Sequence, residues 1–149
     1  MKAYRFLTPL TVFVTLTLPA LAAAPSPAGV WRTIDDNSNK VRSLVRIVEV
    51  NGELQGIVEK TFPAPGEDPA PVCKKCEGDR HDKPVIGMTI MWGMKKDGNE
   101  WAGGTILDPD NGKTYRCKLT LADDGKSVNV RGFIGLSLFG RTQTWHRQE

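Results

Sequence analysis

Between Gly29 and Arg147 the chain alternates short strand-like segments with turn signals, and this punctuation constrains the fold more than any other feature. Eight segments stand out: Gly29–Thr33, Val41–Val50, Glu53–Lys60, Val85–Trp92, Glu100–Leu107, Lys113–Leu121, Ser127–Phe133 and Arg141–Arg147. Asn51-Gly52, between the second and third, is a strong hairpin signal because a tight primed turn needs φ > 0 at both central residues. Asp123-Asp124-Gly125-Lys126 marks a second tight turn, and Lys96-Asp97-Gly98-Asn99 lies in a third connection. The sixth segment alternates cleanly: Tyr115, Cys117, Leu119 and Leu121 point one way, Thr114, Arg116, Lys118 and Thr120 the other. No window of helical length carries a 3.6-residue period, and Ile134–Phe139 is the one short helix-like candidate. The predicted class is all-β.

Eight consecutive antiparallel strands on short links can close into an up-and-down barrel, and closure removes the exposed edges that an open meander would leave. The compact Asn-Gly and Asp-Gly links then share the end where the chain enters. The opposite end carries the long Thr61–Pro84 loop and the apolar Ile134–Gly140 segment. The expected shape is a cup with a mouth. The inward candidates are Val45, Ile47, Leu54, Val58, Met88, Trp101, Tyr115, Cys117 and Val130, a mostly apolar lining with a few polar atoms. Ile134, Leu136, Leu138 and Phe139 crowd the mouth, with Phe62 in the long loop beside them. Exposed apolar clusters mark binding surfaces.

The N-terminus reads as a leader. Lys2 and Arg5 precede an uncharged apolar run from Phe6 to Leu21, and Ala20-Leu21-Ala22 offers small residues at the positions a signal peptidase reads. Residues 1–22 are thus expected to be a signal peptide, with residues 23–149 as a single barrel domain in the periplasm. Pro9 and Pro19 interrupt the run and no cysteine near Ala22 can be lipidated, so no stable anchor is expected after removal. Of 20 basic residues the leader holds two, leaving 18 against 17 acidic ones and a net charge of +1. Nucleic-acid binding would need a clustered basic excess, which is missing.

Gly29-Val30-Trp31 at the start of the first strand resembles the signature of lipocalins and the wider calycin group. In that group the tryptophan closes the barrel floor and a late arginine packs across it. The resemblance implies that Gly29, Trp31 and Arg147 form the floor here, since the eighth strand returns to the end that the first one leaves. Four further stretches are similar, in order, to the bacterial domain of unknown function 2147. They are Cys73-Lys74-Lys75-Cys76-Glu77-Gly78, Lys83-Pro84-Val85-Ile86-Gly87, Trp101 to Pro109, and Gly140-Arg141-Thr142-Gln143-Thr144-Trp145. This resemblance implies an exported, lipocalin-like barrel and brings no established activity or catalytic residue.

Cys73 and Cys76 fit a local disulfide pinning the long loop in an oxidising compartment. Two alternatives stay open. Zinc could use Cys73, Cys76 and His81 with Cys117 or Asp79, and a redox pair would need a helix N-terminus to lower a thiol pKa. Glu77 stands where a c-type haem site requires histidine. Cys117 is expected to be a buried, inert thiol. Asp108-Pro109-Asp110-Asn111-Gly112 is turn chemistry, because EF-hand spacing from Asp108 puts Leu119 where a bidentate glutamate is needed. No Ser/His/Asp order and no positioned carboxylate pair supports a hydrolase. The expectation is a carrier or sensor for a small apolar molecule or lipid, with no metal, no cofactor and no catalytic residues. The alternative is a structural or interaction module whose barrel is filled by its own side chains.

Overall fold

The computed structural model describes residues 25–148, so the expected signal peptide lies outside the described residues. Eight strands form a closed antiparallel barrel in simple sequence order: β1 (Gly29–Ile34), β2 (Val41–Val50), β3 (Glu53–Thr61), β4 (Thr89–Asp97), β5 (Glu100–Asp108), β6 (Lys113–Leu121), β7 (Ser127–Phe133) and β8 (Gly140–Arg147). The ring closes where β1 pairs with β8, Trp31 opposite Arg147 and Arg32 opposite His146. Asn51 and Gly52 both take positive φ, 54° and 79°, as the β2–β3 hairpin requires.

Seven strands lie within a residue of the expected bounds. The fourth does not: Val85–Trp92 was expected and Thr89–Asp97 is observed. Val85 and Gly87 donate their amides to Pro71 and Val58, so the apolar Val85–Met88 run belongs to the long loop. Lys95, Lys96 and Asp97 instead pair with Ala102, Trp101 and Glu100, and a polar hairpin end reads from sequence as a turn. A second correction concerns Ile134–Phe139. It is a turn, and the helix among the described residues is a 3-10 turn at Gly78–Arg80.

The barrel is solid at its floor. Trp31, Val45, Ile47, Leu54, Met91, Met94, Leu119 and Val128 are all essentially inaccessible and pack across the lower half. Burying aliphatic side chains of this size contributes roughly 1.5–3 kcal/mol each relative to exposure. Trp31 Nε1 donates to the carbonyl of Pro27 (2.7 Å), which ties the segment before β1 beneath the floor. The Arg147 guanidinium lies 4.3 Å from the Trp31 ring centre and donates to three carbonyls, those of Gly125, Ala28 and Ser26. Gly29 has φ 139°, and a β-carbon there would collide with Arg147 Nη1. The Gly-x-Trp motif and the late arginine are thus one packing unit.

The Cys73–Cys76 disulfide is present, with a Cα–Cα separation of 5.4 Å. It takes both sulfurs from the zinc reading, and His81 Nδ1 lies 3.0 Å from the Cys76 carbonyl, so that nitrogen donates to backbone. The disulfide loop is docked on the barrel: Cys73 Sγ sits 3.4 Å from the Pro109 carbonyl oxygen, and Arg80 stacks on Trp92 at 4.5 Å. Such a small ring closes little chain entropy, so reduction is expected to lower stability by less than the ~3 kcal/mol of a 15-residue loop. Thermal melts with and without reductant measure this. Cys117 is free and buried, and burial pushes its thiol up to about 12. It is expected to resist alkylation at pH 8 until the barrel unfolds, which mass spectrometry across a denaturant series reads directly.

Candidate functional site

Above the packed floor the barrel opens into a cavity of about 650 Å³ at the mouth. Its apolar depth is built by Ile90, Ile106, Leu107, Val130, Phe133 and Trp145. Its rim comes from three mouth connections: Asp35–Asn37 after β1, Asp108–Asn111 after β5, and Ile134 with Phe139–Arg141 between β7 and β8. A smaller annexe of about 160 Å³ lies under the Pro63–Val72 part of the long loop and shares Arg42, Ser43, Ile90, Pro109 and Asp110 with it.

The rim is polar and organised. Arg141 forms an ion pair with Asp36, which also accepts from Gln143 Nε2 (3.3 Å). Arg42 is shared by two carboxylates, Glu67 and Asp110. Its hydrogen bond holds Glu67 below the usual carboxylate range. Asp35 is lowered too, chiefly by the Ser38 hydroxyl and then by backbone N–H donors. Groups lowered this way keep their contribution above the ordinary carboxylate range and lose it only as pH falls through the lowered values. Asp108 accepts from the Asp110 amide (2.9 Å) and from Asn111 Nδ2 (2.8 Å), which also donates to Tyr115 Oη (3.1 Å). Asp108–Gly112 is therefore the turn expected. On the opposite wall, Arg131 donates to the carbonyls of Ser137 and Leu138, propping up a lip whose Ile134, Leu136, Leu138 and Phe139 are 69–78% exposed.

The expected lining divides by depth. Tyr115, Val130, Ile134 and Phe139 do border the cavity. Val45, Ile47 and Leu54 face inward but fill the floor half, with Cys117 also buried in the core. Val58 borders the annexe. Met88 is buried outside the cavity, in the loop, where its carbonyl accepts from the Val58 amide. Trp101 sits by the β4–β5 hairpin with Lys96 over its ring at 3.8 Å, and Phe62 lies under Lys60 away from the cavity. Leu136 and Leu138 are on the lip but do not line the cavity.

Trp145 was missed, although a signal existed. Arg147 faces the floor, so period 2 along β8 places Trp145, Gln143 and Arg141 on the inner face at successively higher levels. Ile90 carried a signal too, two residues beyond Met88 on the face expected to point inward, but Met91 beside it did not, because Ile57 pairs with Thr89 while Gly56 pairs with Met91. That bulge buries two successive residues, Ile90 and Met91, on one side.

A closed eight-strand meander with a packed floor, an open apolar mouth and a Trp–Arg floor pair defines a lipocalin-like barrel protein. A solved structure bears this out at the level of fold: the Helicobacter pylori protein HP1028, described as belonging to the lipocalin family, superposes with a TM-score of 0.72 at 19% identity over 85% of each chain. The chain belongs to the bacterial family described as "Uncharacterized protein conserved in bacteria (DUF2147)", whose model matches residues 29–147. No curated protein sequence matches it.

Proposed function

We propose that this protein is an exported, periplasmic binding protein that carries or senses a small, mainly apolar molecule in the mouth cavity, without chemistry of its own. The observation that carries the reading is the 650 Å³ cavity, whose apolar depth and polar rim match what an amphiphile presents. That volume lies in the range of small-molecule sites. The lipocalin description of the Helicobacter protein supports the same direction.

Gly132 tests it. The residue borders the cavity, and a β-carbon there would make ordinary contacts with Tyr115 and Ile106 at 3.5 and 3.6 Å. Gly132→Leu is expected to fill the cavity without unfolding the barrel and to weaken binding at least about tenfold, one lost apolar contact set of 1.4 kcal/mol or more. Native mass spectrometry of gently purified protein, wild type against G132L, reads the occupancy. A wild-type protein that carries no small molecule and binds none offered to it defeats the proposal.

A second reading draws on Leu136 and Leu138, which are exposed yet turned away from the cavity. Here the lip docks on another protein. A stable assembly with an empty cavity in the same native spectra would favour it.

A further inference from the structure

We infer that the mouth cavity selects cationic amphiphiles, an ammonium head group on an apolar chain, over anionic ones of equal length; this rests on the cavity being the binding site proposed above. Two independent features point the same way.

The first is the charge at the rim. Four aspartates border the cavity, Asp35, Asp36, Asp108 and Asp110, against two arginines, Arg42 and Arg141. Arg141 is matched by Asp36. Arg42 is outnumbered, since Glu67 and Asp110 share it. Asp35 and Asp108 accept hydrogen bonds only from neutral donors, Ser38 and backbone amides for one, Asn111 and the Asp110 amide for the other, with Arg42 adding a weaker Coulomb attraction on Asp35. The rim therefore carries more acidic than basic groups, and the two guanidinium groups that would receive a carboxylate are already paired.

The second is the state of the aromatic rings. Among the described residues, Trp31, Phe62, Trp92, Trp101 and Phe133 each have a lysine or arginine head over the ring. The three aromatic rings left without one are Tyr115, Phe139 and Trp145, and all three border the mouth cavity. An ammonium group near aromatic faces gains from their quadrupoles, and a quaternary one has no donors that must be satisfied. A carboxylate in the same place meets the negative faces of the rings and two aspartates that form no ion pair.

The test is calorimetric titration of the full mature chain with dodecyltrimethylammonium and with dodecanoate at pH 8, each below its micellar concentration. The cation is expected to bind about tenfold tighter or more at low ionic strength, with the gap closing as salt screens the rim. In D35N/D108N, which keeps the oxygen that accepts the backbone amides of each turn and gives up the Asn111 bond to Asp108, the preference should contract toward parity while circular dichroism stays unchanged. Equal or tighter dodecanoate binding overturns the selectivity and leaves the cavity reading standing. A cation preference that survives in D35N/D108N overturns the assignment to the rim charges. Cation binding that persists in G132L marks adsorption outside the cavity and overturns the inference, and binding of neither probe overturns the binding-site reading itself.

Discussion

Trp31→Ala is expected to destabilise the barrel by about 3–5 kcal/mol, the range for deleting a large buried aromatic. The ring is fully buried, so its removal leaves a void between Val45, Ile47 and the neighbouring floor residues that rigid strands cannot close. Arg147→Ala should cost roughly 2–4 kcal/mol, because it removes three charge-assisted hydrogen bonds to carbonyls and a cation–π contact worth about 1 kcal/mol. The two losses should not add, since the guanidinium is positioned by the ring it stacks on. Arg147→Lys keeps the charge but cannot reach three carbonyls in a fixed fork, and is expected to behave nearly as badly as alanine. Denaturant unfolding of the two single variants and the double one measures the coupling. Full additivity would show that Trp31 and Arg147 act separately.

Gly112→Val is the second large effect. Gly112 closes the Asp108 turn with φ 73°, and its α-carbon is pressed against the backbone of the disulfide loop. A β-carbon there would collide with the Lys75 carbonyl and the Cys76 amide, groups that cannot rotate aside as a side-chain tip can. A branched residue also strains the left-handed backbone by roughly 1–2 kcal/mol before any collision is counted. The expected result is a loss of about 3 kcal/mol or more, with the Cys73–Cys76 loop lifted from the barrel. Hydrogen exchange should show the Cys73 amide, bonded to Lys83, opening far more in G112V while the floor strands stay protected. A variant with wild-type exchange in the loop would show that the loop is not held by this contact.

The legibility of the fold follows from which forces are local. Turn chemistry at Asn51-Gly52 and period-2 alternation in β6 each depend on a few adjacent residues, and both read correctly. Trp31 and Arg147 do lie opposite each other, as the resemblance to calycins implied and the return of β8 to the floor supported. The error at β4 has the same origin in reverse. An apolar run looks like a strand wherever it occurs, but Val85–Met88 finds its partners in Pro71 and Val58 rather than in β5.

By itself, then, the chain determined the all-β class, the order of the strands and the end that opens, since each rests on alternation, turn residues and parity, while the floor pair came through the resemblance of Gly29-Val30-Trp31 to the calycin signature. Depth within the lumen was decided only in three dimensions. Period 2 says that Val45 and Val130 both face inward, yet Val45 is packed in the floor and Val130 borders the cavity. Their levels depend on strand register accumulated around the ring, including the bulge that buries Met91 beside Ile90. The rim charges were equally hidden, because Arg42 meets Glu67 and Asp110 across 25 and 68 residues of chain. Such neighbours exist only once the barrel closes, and they give the upper half of the lumen a charged rim over an open cavity while the lower half is a packed core.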